Sequence, residues 1–130
     1  RRGNMFNPDA MRNLNKKPVS LVIGWDKFVI SHCKSAGVEG FGHGVAHNLQ
    51  GIKIDADEMG VPFTALHVVN ALMGTINLMV ENHHPIEQIK TALNLCPQLL
   101  VHIIENPTTL SETTDFFVDV KNDMLQKLNR

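Results

Sequence analysis

The sequence predicts an all-α domain: a compact bundle of about five helices, with a flexible basic N-terminal arm and a Gly-rich irregular segment after the first helix. Three observations carry that prediction. Apolar residues recur at i, i+3, i+4 and i+7 through much of the chain. Prolines punctuate these stretches at short intervals, as in bundles of antiparallel neighbours. Tyrosine is absent and only 5% of residues are aromatic, which speaks against a β-rich domain. With 130 residues, 43% of them hydrophobic, the chain suits one domain that needs neither disulfide nor metal to fold.

Residues 1–17 hold four asparagines, a glycine and a proline among isolated apolar residues. Such a stretch buries too little to offset its ordering entropy, so it reads as an arm, with residues 18–130 forming the helical domain. Pro8 and Asp9 suit one short turn of helix. From Val19 to about Ser35, Leu21, Val22, Trp25, Phe28, Val29, His32 and Cys33 keep helical spacing, and Gly37 is a natural stop. A short strand at Val19–Ile23 competes for the start of this segment. Gly37, Gly40, Gly42 and Gly44 then mark a loop or a close backbone approach, with at most a turn or two of helix before Gly51.

Pro62 to Asn82 reads as the central helix. Its polar residues His67, Asn70, Gly74, Asn77 and Glu81 form one narrow stripe and almost all the rest is apolar, so the helix belongs inside a bundle. The longest uncharged run, Met59–Val80, covers 22 residues, but its histidine and asparagines are costly in hydrocarbon; a buried helix is expected and no membrane insertion. Pro85 starts the next helix, which ends near Leu95, and Pro97 starts another that Pro107 closes. Thr109 and Glu112 match a capping box opening a last helix over roughly Leu110–Leu128.

Charge is unevenly spread. Residues 1–34 carry seven Lys or Arg against two Asp, whereas the rest carries five cations against eleven acids. A basic end on an acidic body is common where an arm touches nucleic acid or an acidic partner, which singles out Arg1, Arg2, Arg12, Lys16 and Lys17. Neutralisation of the two regions within one fold, or across an oligomer, is the other reading. Two cysteines, Cys33 and Cys96, do not make a disulfide framework and read as reduced core thiols in a cytoplasmic or other intracellular setting. No apolar stretch follows Arg1 and Arg2, so no secretory signal is expected.

No motif fixes a reaction, and no cofactor is called for. His43 and His47 are four apart, a spacing that on a helix turns two imidazoles to one metal ion, and Asp55, Asp57, Glu58 or His83 and His84 are candidate third ligands. The glycines lack the Gly-Lys-Ser/Thr of a phosphate loop, and Leu66 stands where a calcium loop places its glutamate. His67, Asn70 and Asn77 either line a polar seam, where asparagine sets register between associated helices, or form a solvated edge. The favoured function is a non-enzymatic interaction and assembly module, binding itself or a protein partner, whose arm contacts nucleic acid. The alternative is a small metal- or ligand-binding protein, with hydrolysis as one chemistry, centred on His43, His47, Asp55 and Asp57.

Overall fold

The computed structural model describes residues 8–129, and among them six α-helices follow one another without a strand. They are α1 (Pro8–Asn15), α2 (Trp25–Ser35), α3 (Glu39–Met59), α4 (Ala65–Glu81), α5 (Ile86–Ile103) and α6 (Pro107–Leu128). The all-α expectation holds. α3 lies between α2 and α4, while α5 packs on α2, α4 and α6, and one apolar core joins all six helices. No helix of the described residues is long and apolar enough to cross a membrane.

The glycine-rich segment is not irregular but the first half of the 21-residue α3. Each glycine inside a helix costs about 0.5–1 kcal/mol relative to alanine. Two of these glycines are there because nothing larger fits. A Cβ at Gly42 would lie 2.8 Å from Cys33 Cβ and 3.2 Å from Ile30 Cα, and one at Gly44 would lie 2.8 Å from Thr75 Cγ2. Of the two meanings the glycine run carries in sequence, close backbone approach is the one realised. Burial of Phe41, Val45, Leu49 and Ala56 offsets the propensity cost.

Pro97 does not start a helix either; it sits inside α5. An interior proline costs about 3 kcal/mol or more. Leu93, Cys96, Leu99, Leu100 and Ile103 are all buried across that point, and each buried aliphatic is worth about 1.5–3 kcal/mol, so continuity wins. These two corrections, with α1, change the expected five helices to six.

Residues 18–22 lie outside any helix, Ile23 and Gly24 turn the chain, and α2 begins only at Trp25. The segment straps two turns together. The Val19 amide donates to Phe63 O (2.9 Å) and the Val22 amide to Ile103 O (3.0 Å), while the Glu105 amide donates to Ser20 O (3.1 Å). Ahead of the strap, the C-terminal part of the expected arm is α1, docked on α4 and α6 through the fully buried Leu14. At α6 the cap is Asn106, whose Oδ1 accepts from the Thr109 amide at 2.9 Å, so the helix starts one turn before the expected Thr109 box.

The close approaches predict opposite responses along one helix. Gly42→Ala and Gly44→Ala should each lower stability by about 1–3 kcal/mol through overpacking. Gly51→Ala, where a Cβ meets nothing within 4 Å, should raise it by up to about 1 kcal/mol. Urea denaturation of the three variants checks this; a uniform response would contradict the gripping of α3.

Candidate functional site

Of the five cations expected to contact nucleic acid, Arg12, Lys16 and Lys17 lie among the described residues. Arg1 and Arg2 lie outside the described residues. Arg12 pairs with Asp9 one turn back on α1, and Lys17 Nζ lies 3.2 Å from Glu112 Oε1 on α6, leaving the exposed Lys16. Two of these cations thus have a carboxylate partner within the fold.

His43 and His47 occupy consecutive turns of α3 and both are exposed. The helix at that spacing is present, but the remaining ligands are not. Asp55 is twelve residues further along the same straight element, about 18 Å at the helical rise. His43 Nε2 instead lies 3.5 Å from Glu39, and Asp57 pairs with Lys53 at 3.4 Å. Among the described residues no three His, Cys, Asp or Glu side chains converge on a cation position. The hydrolase constellation is not assembled.

The predicted polar stripe of α4 divides. His67 belongs to the start of the helix: its Nδ1 accepts from the Thr64 amide at 2.9 Å, and its ring stacks on Phe63 with centroids 5.6 Å apart. Asn70 and Asn77 are exposed and share a groove of about 220 Å³ between α4 and α6. Its floor is apolar, made by Leu66, Val69 and Met73 of α4 and Phe116 and Val120 of α6, and Met11 of α1 contributes to the lining. Between the two asparagines, Gly74 also lines the groove, and a Cβ there would meet nothing within 4 Å. Unlike Gly42 and Gly44, this glycine is not required by any neighbour among the described residues.

Met11, Phe116 and Val120 were not expected at this site, because the sequence does not reveal which helices flank α4. Gly74 was visible in the stripe itself. No family model matches the chain, and neither a curated protein nor a solved structure shows a significant likeness to it.

The two cysteines are core groups. Burial pushes the Cys33 thiol from its ordinary 9.0 up to about 11. Cys96 is raised well above 9.0, first by burial and then by Cys33, with Lys121 opposing. A thiolate is the form that attacks or binds metal, so both thiols are held in their inactive form at neutral pH. The linkage has a definite sign. Above pH 9 the unfolded chain releases thiol protons that the folded chain keeps, so stability should fall as pH rises from about 9 to about 11. The slope is bounded by about 1.4 kcal/mol per pH unit for each thiol. Chemical denaturation at pH 8 and pH 10.5 measures the loss, and Cys33→Ala should reduce it.

Proposed function

We propose that this chain is a non-enzymatic helical assembly module that pairs with a second copy of itself across the α4–α6 groove. The observation that carries this reading is Gly74. A mid-helix glycine costs about 1 kcal/mol, no neighbour among the described residues requires it, and, unlike the equally open Gly40 and Gly51, it lines an apolar groove flanked by two exposed asparagines.

Asn70 and Asn77 stand four residues before and three residues after Gly74. Across a two-fold axis near Gly74, an antiparallel α4 brings Asn70 of one copy opposite Asn77 of the other. Carboxamides are donor and acceptor at once, so this pairing is self-complementary, as an isologous interface requires. Gly74 then allows the two backbones to cross closely. The apolar floor supplies burial, and the asparagines supply register.

The test separates folding from association. Gly74→Ala should stabilise the isolated fold by up to about 1 kcal/mol while weakening self-association, and Gly74→Leu should abolish association. Light scattering across a concentration series reads the oligomeric state, and urea denaturation reads the fold. A chain that stays monomeric at every concentration, or a dimer indifferent to Gly74→Leu, overturns the proposal.

A further inference from the structure

Between α2 and α5, two histidines distant in sequence come together. The rings of His32 and His102 have centroids 5.9 Å apart and are tilted by 53°. Both are half-buried. We propose that His32 and His102 form a bis-imidazole site for a divalent transition-metal cation, Zn²⁺ in the first instance, that clips α2 to α5.

The spacing fits one ion. With metal–nitrogen distances of about 2.0–2.1 Å, two rings on one zinc have centroids roughly 5–6 Å apart. The rings are also held in place before any ion arrives. His32 Nε2 lies 2.8 Å from Gln98 Oε1. A carboxamide oxygen only accepts, so Nε2 carries the proton and Nδ1 keeps its lone pair. A ligating imidazole takes this form, with its second nitrogen donating to a fixed acceptor. His102 is held by Phe28, whose ring stacks on it at 5.4 Å and 20°. Each histidine lies in the last turn of its helix, the end whose partial negative charge favours a cation.

Imidazole selects zinc, copper or nickel over calcium and magnesium. With two protein ligands the ion keeps open positions for water. The site stands apart from the α4–α6 groove and does not depend on the self-association reading. It also differs from His43 and His47, which lie on a single helix, where an ion would link nothing.

The experiment titrates the full chain with zinc chloride by calorimetry, with thermal melts at each concentration. One zinc per chain is expected, with a thermal midpoint that climbs as zinc is added, because the folded chain binds the ion more tightly than the unfolded one. His32→Asn or His102→Asn should abolish the effect, and Gln98→Ala should weaken binding by roughly 10–100-fold. Nuclear magnetic resonance of the unmodified chain provides a readout that no folding defect can affect: of its seven histidines, the rings of His32 and His102 should shift with zinc. The proposal is overturned by any of four results: no saturable binding, binding that survives both substitutions, binding lost instead with His43→Ala and His47→Ala, or a stoichiometry of one zinc shared between two chains.

Discussion

The fold depends on the grip that α2 and α4 exert on α3. At about 100° per residue, positions 42 and 44 lie on nearly opposite sides of the helix, so the two missing side chains admit a neighbour from each side. Gly42 lets α3 settle against Ile30 and Cys33, and Gly44 lets it settle against Thr75. The polar groups at the second crossing are fully used: Thr75 Oγ1 donates to Ala71 O at 2.8 Å and accepts from Asn48 Nδ2 at 2.8 Å. A buried hydroxyl satisfied on both counts ties α3 to α4 where packing alone would allow sliding.

That grip leaves the outward faces of the middle helices available. α3 exposes His43 and His47, whose spacing looks chemical but whose neighbours are solvent and Glu39. α4 exposes Asn70 and Asn77, with Leu78 and Val80 near its end, and nothing among the described residues requires its glycine. The difference between Gly44 and Gly74 is the argument for assembly in miniature: one glycine answers to Thr75, the other to nothing among the described residues.

Much of the architecture was legible in the sequence. Pro85, the turn at His83 and His84, and the apolar face of α6 mark boundaries by strong local chemistry, and the helices follow them. The failures share a cause. Glycine and proline were read by intrinsic preference, whereas their roles in α3 and α5 are decided by partners far along the chain. Val19–Ile23 keeps helical spacing with the residues that follow and as an apolar run also suits a short strand, yet the Val19 and Val22 amides bond to Phe63 and Ile103, which no local pattern reveals. The α4 stripe was legible as a stripe, but His67 left it to serve Thr64. His32 and His102 were beyond reach, since seventy residues separate two rings that meet only after α2 lies on α5.

The strap at residues 18–22 governs the order in which the molecule comes together. Its bonds reach the turn before α4 and the turn after α5, so no receiving surface exists until both turns have formed. Closing such distant loops early carries an entropic cost that local helix formation avoids. The strap therefore belongs to the final stage of folding, after the helical stack has condensed. By the same reasoning it is the segment that opens first, exchanging its amide protons while α3 and α4 remain protected. Lys17, which leads directly into the strap, is also tied to α6 through Glu112, while α1 keeps its own anchor in the buried Leu14.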